Sequence, residues 1–404
     1  MRSHFTRTLI AAVLMAGATL AHAADKQTVR PEVGKPLQEA QTLIQQKSYK
    51  DALGKIDEAE KVGSLTPYES YIVDRMRAAA ATGANDINTA LKAYEESLAS
   101  PQMPAAEKVQ TLDVMAKLAY AGKNYAKAVD AIEKYREAGG NSPQTLELLP
   151  QAYYLTGKYG EAGKELSVLL AQKEKAGQTP SETQFQLLAS CALKQNDMAG
   201  YASALEKLVS YYPKPSYWLD LIARTAGSKG FSDRWSLDLY RLRYATGTLE
   251  SAGDYMEAAQ LALQAGFPGE ADQYVKAGYA KNALGQGSDA ARHKRLKDLI
   301  DKKIAEDKAT LAEGEKAAAK QAAGDALVNT GLNYVGYQQY DKGLPLMTQG
   351  IAKGSLKAAD AAQLHLGYAY LEAGKKEEAA KALRAVQSSD GGTAVARLWL
   401  IKAR

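Results

Sequence analysis

One phrase returns along this chain, and it restricts the possible folds more than any other feature. In "LLPQAYYLTGKYGEAGKEL" it reads Leu149, Tyr153, Gly157, Tyr159, Ala162, Leu166; in "LHLGYAYLEAGKKEEAAKAL" it reads Leu366, Gly367, Tyr370, Gly374, Ala379, Leu383. Apolar residues recur at helical spacing on both sides of a glycine, so each phrase predicts a helix, a turn and a second helix. Aligning the aromatic that follows the turn sets other copies in register: Tyr49, Ala52, Ile56, then Tyr125, Ala128, Ile132, then Tyr340, Gly343, Met347. A degenerate copy carries Ile87, Ala90 and Tyr94, and another supplies Ala189, Ala192, Leu205 and Pro213. Tyr125 and Tyr159 are 34 residues apart, whereas other intervals are longer, so the loops vary.

Two helices cross closely only where a side chain is small, which accounts for Ala or Gly at the register of Ala128, Ala162 and Gly343. One such unit cannot bury its apolar face alone, so neighbours stack and share a core. This spacing resembles the tetratricopeptide family, whose repeat is a helix–turn–helix unit of about 34 residues. The expected fold class is all-α, a tetratricopeptide-type helical-repeat solenoid. It would be a right-handed superhelix of roughly eight or nine antiparallel helix pairs. A generic alanine-rich bundle would satisfy helix propensity equally well, but it would not place the turn, the aromatic and the alanine in phase.

The N-terminus reads as a targeting segment. Arg2 and Arg7 precede the apolar run "TLIAAVLMAGATL", and Ala21-His22-Ala23 forms a small-residue cleavage site. Residues 1–23 are therefore expected to be a signal peptide cleaved after Ala23, with the mature chain in the periplasm. The run is too short to span a bilayer, so no direct membrane insertion is expected after cleavage. Cys191 is the one cysteine and cannot form an internal disulfide; it reads as a packing residue. The formal charge of +5 falls to about +3 without Arg2 and Arg7, which offers no electrostatic footprint for nucleic acid.

Composition divides the remainder into residues 24–213 with N-terminal repeats, 214–280 with divergent helical repeats, 281–323 as a charged helical linker, and 324–404 with C-terminal repeats and a capping helix. In the charged segment the large apolars thin to Leu296, Leu299, Ile300, Ile304 and Leu311, and Asp298 is expected to pair with Lys302. Arg292, Lys294, Arg295 and Lys297 form a basic cluster, read as a solvated face in preference to a patch for a membrane or acidic partner. Gly285 and Gly287 read as a linker turn, because a phosphate loop would need a third glycine and a preceding strand. At the end, Val395, Leu398, Trp399 and Ile401 suit a helix covering the last repeat.

The search for chemistry is mostly negative. His293 and His365 are the histidines left after the leader, and no nucleophile or phosphate-loop motif is present. No enzyme activity, metal or cofactor is expected. The tetratricopeptide resemblance implies that the first helix of each unit lines a concave groove. The groove positions of the third to fifth units then hold Lys117, Tyr120, Glu147, Gln151, Tyr154, Gln186 and Lys194, beside Asp113 and Ser190. The terminal-carboxylate clamp of chaperone-binding members, a Lys followed by an Asn, is absent from these positions. A merely solvated helix face remains the alternative.

The middle zone carries a second resemblance. Tyr211, Pro213, Tyr217, Trp218 and Leu221, with Tyr255, Ala258, Ala259, Leu263, Gly266, Pro268 and Ala271, are similar to periplasmic repeat proteins described as candidate components of the TonB energy-transduction system. The resemblance covers about 70 residues, mostly packing positions. It implies a non-enzymatic periplasmic protein-binding scaffold accessory to TonB-dependent transport, with protein partners from that system, and makes Tyr217 and Trp218 a secondary candidate surface. A scaffold for envelope or polysaccharide assembly is the alternative, and an envelope hydrolase the least favoured one. Intact-mass measurement of protein from the periplasm is expected to give a chain beginning at Ala24; retention of Met1 would sink both cleavage and location.

Overall fold

The computed structural model describes residues 28–404; the expected signal peptide and its cleavage site lie outside the described residues. These are helical, with no strand among them. The chain forms two compact units. The first holds the described residues up to 178 together with 190–196, and the second holds 179–189 and 197–404.

Unit 1 is built from antiparallel helix pairs: α1 (Pro31–Gln45) with α2 (Tyr49–Lys61), α3 (Pro67–Gly83) with α4 (Ile87–Ala99), and α5 (Ala105–Ala121) with α6 (Tyr125–Glu137). In the fourth pair the first helix is broken into α7 (Pro143–Leu146) and α8 (Leu149–Leu155) before α9 (Tyr159–Lys175). Pro150 causes the break, since it lacks the amide hydrogen and its ring crowds the preceding turn. The last part of α10 (Glu182–Lys194) also belongs to this unit.

Each turn inside a pair uses the same backbone device. The residue two before the second helix is left-handed: Lys47 at φ +63°, Asn85 at +59°, Lys123 at +62°, Gly157 at +78°. The next amide reaches back to the first helix, as in Asn124 N–H to Ala119 C=O at 2.8 Å and Lys158 N–H to Tyr153 C=O at 2.9 Å. This is the Schellman closure, which satisfies carbonyls the helix end leaves unpaired. The small residues at the register of Ala52, Ala90, Ala128 and Ala162 are each 0 % exposed, as close crossing requires. The entry to α3 is tied down by a capping box between Thr66 and Glu69. Glu69 also accepts from Arg30 Nε at 2.9 Å. The Arg30 guanidinium, with the amides of Thr66 and Arg30, pulls the Glu69 carboxyl down to about 2.

Unit 2 continues with α11 (Met198–Tyr211), α12 (Pro215–Ala226), α13 (Ser236–Ala245), α14 (Ala252–Gln264) and α15 (Pro268–Ala280). It ends with α16 (Ala290–Lys320), α17 (Asp325–Gly336), α18 (Tyr340–Lys353), α19 (Ala359–Glu372), α20 (Lys376–Arg384) and α21 (Gly392–Lys402). The left-handed turn residue recurs in this unit at Gly266, Gln338 and Gly374, as it does at Asn196 at the end of unit 1. The tightest crossing joins α17 to α18. A Cβ on Gly331 would lie 2.6 Å from Gly343 O, and a Cβ on Gly343 would lie 2.6 Å from Gly331 O.

Two segments differ from the sequence expectation. The charged stretch is one long helix, α16, exposed along most of its length as its charges predict, but one edge of it packs. Leu296 and Ile300 of α16 enter the core with Tyr255 and Tyr274. Asp307 accepts from Asn333 Nδ2 at 2.9 Å and from the Tyr337 hydroxyl at 2.7 Å. Leu299 points outward at 46 % exposure, and Asp298 pairs with Lys294 at 2.7 Å instead of with Lys302. The glycines before α16 do form a turn, closed by Gly285 N–H donating to His293 Nδ1 at 3.0 Å. Likewise α21 is more than a cap on the last repeat. It packs on α20 and α19 and also on α11, α12 and α13, so the end of unit 2 meets its beginning.

Gly343→Ala is expected to destabilise the protein by about 1–3 kcal/mol, because the methyl group meets backbone that cannot yield. Gly314→Ala on the exposed side of α16, where a Cβ meets nothing within 4 Å, should instead stabilise by about 0.4–1 kcal/mol. Chemical denaturation of both variants checks the contrast.

Candidate functional site

In unit 1, side chains of successive first helices are joined by polar contacts. Tyr71 on α3 donates to Glu107 on α5 at 3.3 Å, and Asp113 on α5 accepts the Thr145 hydroxyl from α7. The Tyr154 hydroxyl on α8 and Ser190 Oγ on α10 are 2.8 Å apart. The groove candidates sit on or beside this ladder. Lys117 is held by Asp113 at 2.6 Å. Tyr120 and Tyr154 are half-buried, edge-on against Tyr125 and Tyr159 at centroid distances of 5.6 and 5.2 Å. Burial raises the Tyr120 hydroxyl above its ordinary pKa, with Tyr125 adding to the effect. Both tyrosines therefore serve packing as well as surface.

Glu147 and Gln151 do not share one continuous helix, as their spacing suggested. The break before Pro150 leaves Glu147 at the end of α7, where it pairs with Lys173 at 3.1 Å. Gln151 and Lys194 are exposed. Helical spacing places Gln151 and Lys194 one turn from the two ends of the Tyr154–Ser190 bond. On a helix, residues three and four apart share a face. Gln151 thus neighbours Tyr154 and Leu155, and Ser190 neighbours Leu193 and Lys194. Leu155 and Leu193, which sequence reasoning passed over, are 44 % and 39 % exposed.

Gln186 falls in unit 2, where its Nε2 donates to the Tyr217 hydroxyl at 2.6 Å. Tyr217 also donates to Glu182 Oε1 at 2.5 Å. Trp218 is corrected as a surface candidate. It is 2 % exposed and packs inward with Leu221 and Ile222, because a Trp, Leu, Ile stripe at helical spacing is a core face. Cys191 is buried, and burial pushes its thiol up to about 11, which keeps it protonated at neutral pH.

The strongest electrostatic feature is one the sequence analysis missed. Arg241 on α13 is buried. Its Nε and Nη2 donate to Glu270 on α15 at 2.8 and 2.7 Å, and its Nη1 donates to Asp238 at 2.8 Å. Tyr274 donates to Glu270 at 2.6 Å, and the rings of Phe267 and Tyr368 lie 5.5 and 5.0 Å from the guanidinium carbon. His365 Nε2 on α19 lies 3.1 Å from Asp238 Oδ1. Burial works to raise the Asp238 pKa, but His365 and Arg241 outweigh it and hold the carboxyl below its usual range. Burial likewise opposes the charge on Arg241, and Glu270 and Asp238 overcome it. The available signal was only the spacing of Asp238 three residues before Arg241 on α13; Glu270 and His365 are too distant in sequence to associate with it.

This network joins the early and late parts of unit 2, and a second clamp does the same nearby. Arg234 pairs with Asp360 and, at 2.6 Å, with Asp390, which also accepts Trp235 Nε1 at 2.9 Å. Gly392 fits against Trp235, where a Cβ would lie 2.4 Å from the ring. The arrangement neutralises and holds; among the described residues no group of His, Cys, Asp or Glu is placed to bind a metal.

Arg241→Met is expected to destabilise unit 2 by about 3–5 kcal/mol, because Glu270 and Asp238 are left buried without their counter-charge. Hydrogen exchange should show the loss in α13, α15 and α19 while α1 to α6 keep their protection. In the wild type the Asp238 contribution is present above the ordinary carboxylate pKa of about 4 and is lost as pH falls through its depressed folded value. Unchanged exchange in α13 and α15 would refute this role for the network.

No protein-family model matches the chain, and no curated protein matches it. Among solved structures, it is similar to a tetratricopeptide repeat protein from Parabacteroides merdae, at 10% identity over 84% of this chain and 99% of that one, with a TM-score of 0.31. It is also similar to the C-terminal part of a repeat-containing protein from Cytophaga hutchinsonii, at 12% identity over 86% and 99%, with a TM-score of 0.28. No function is transferred at this distance; the tetratricopeptide-type, all-α character stands on the helix pairs and turns described above.

Proposed function

We propose that this protein is a non-catalytic scaffold that holds a protein partner on the first-helix face around the Tyr154–Ser190 hydrogen bond. The observation that carries this reading is the exposure of Leu155 and Leu193, 44 % and 39 %, on two helices joined at that bond. Exposed Gln151 and Lys194 flank them. Apolar contacts ringed by polar groups on a preorganised surface suit a partner helix or extended peptide. A helical-repeat fold supports the same class of function, because it exposes long faces without a closed active-site cavity.

The finer reading is a periplasmic accessory of TonB-dependent transport. It is supported by the leader-like N-terminus and by the resemblance across residues 211–271. Trp218, Leu221, Tyr255, Ala258, Ala259 and Ala271 are buried, so what resembles that group is chiefly the packing of this region. Contact with an inner-membrane motor would run through protein, since no described helix is long and apolar enough to cross a membrane.

The test is crosslinking and pull-down from periplasm with wild type beside a Leu155→Asp, Leu193→Asp double variant. Loss of a contact at the centre of a binding face costs about 2 kcal/mol or more, roughly thirtyfold in affinity. Capture of the wild type's specific partner should therefore disappear. Helix content and melting should hold, because exposed positions tolerate polar substitution within about 0.5 kcal/mol. Undiminished capture by the folded double variant would refute this face as the partner site.

A further inference from the structure

Unit 2 contains a cleft of about 1080 Å³ between α11, α12, the turn after α12 and the start of α21. The first-helix face of unit 1 has no part in it. Ala202, Phe231 and Leu398 contribute apolar wall, and the polar group that gives the cleft its character is Arg224. The Arg224 guanidinium carbon lies 4.4 Å from the centroid of the Tyr201 ring. Its Nε is 2.9 Å from Asp220 Oδ1, and the other Asp220 oxygen accepts the Tyr201 hydroxyl. The ring beneath it and the charge of Asp220 beside it thus hold the guanidinium in place, although Nε makes no aligned hydrogen bond.

The outer end of that guanidinium meets a poor partner. Arg224 Nη1 donates to Met198 Sδ at 3.6 Å, and a thioether is a weak acceptor. A carboxylate in the same place would accept charge-assisted bonds of the strong class. Met198 is 48 % exposed, and its unbranched chain can swing aside. The remaining charges permit an anion. Arg397 on α21 pairs with Glu206 on α11 at 2.5 Å, and Lys229 also lines the cleft. Three cations therefore face two carboxylates, both already engaged.

We propose that this cleft binds an apolar chain ending in a carboxylate, with Arg224 receiving the carboxylate and the apolar walls receiving the chain. Tyr201 and Asp220 are positioning residues that orient the guanidinium. The chemistry is shared by a peptide C-terminus and by a free amphiphilic acid, and the volume admits either.

The experiment titrates the purified full chain calorimetrically with three probes: the peptide Ac-Ala-Leu-Ala-Leu-Ala as free acid, the same peptide as C-terminal amide, and octanoate. An acid probe should bind at least about tenfold more tightly than the amide, the scale of a hydrogen bond to a charged group. Arg224→Gln should reduce the acid to the level of the amide. Binding of the peptide acid alone assigns a chain terminus, and binding of octanoate alone assigns a free acid; both support the site. Should Arg224→Gln melt early, Ala202→Trp, which fills the apolar wall, should also abolish binding. Equal binding of acid and amide, retained binding in the folded Arg224→Gln or Ala202→Trp variants, or no saturable binding of either acid up to about 5 mM would overturn the proposal.

Discussion

The Arg241 guanidinium is the contact on which the second unit depends. A buried cation is tolerable only when its charge and its donors are matched, and here two carboxylates, from α13 and α15, meet that demand. Because Asp238 also faces His365 on α19, the network that neutralises one arginine joins helices from both ends of the unit. The Arg234 clamp to Asp360 and Asp390 repeats the arrangement at a more exposed level. Ion pairing of this kind adds less net stability than the same volume of apolar packing would. What it adds is selectivity, since a misdocked α19 would leave Asp238 with one partner fewer.

The helix pairs answer to a different constraint, which is local. A short turn between antiparallel helices needs a left-handed residue, a backward hydrogen bond and a small side chain at the crossing. These requirements recur from Lys47 to Gly374 even where the residue is Lys, Asn or Gln. The strain of a left-handed Lys or Gln is modest, on the order of 1 kcal/mol, and the closure it permits satisfies several carbonyls at once. Side chains outside the crossing and the shared core are then free to vary, and the candidate surfaces are found there.

Those surfaces differ in chemistry. Around Tyr154 and Ser190, two helices are pinned by one hydrogen bond and present leucines beside Gln151 and Lys194. In the cleft of unit 2, Tyr201 and Asp220 fix a single arginine whose outer nitrogen faces a methionine. The first arrangement relies on apolar area and suits a protein face. The second relies on one oriented cation and suits a specific anionic group.

Sequence alone determined the parts governed by short-range rules. The starts of the second helices at Tyr49, Tyr125, Tyr159 and Tyr340, the buried alanines, and the turn at Gly285 and Gly287 follow from spacing and backbone conformation within one pair of helices, so they are legible without a structure. Which face a polar residue occupies was only half legible. Tyr120 and Tyr154, expected on an open face, are half-buried and pack edge-on against Tyr125 and Tyr159. Trp218 turned inward, and Pro150 interrupted the helix that would have carried Glu147 and Gln151. Only the tertiary structure decided that α16 is part of the core, that α21 reaches α11 to α13, and that Arg241, Glu270, Asp238 and His365 meet. Within the Arg241 network the partners lie from three to 127 positions apart in sequence, and Arg397 on α21 reaches Glu206 on α11 across a still longer separation. Helical periodicity reports which side of a helix is apolar, but it carries no information about which distant helix will cover it.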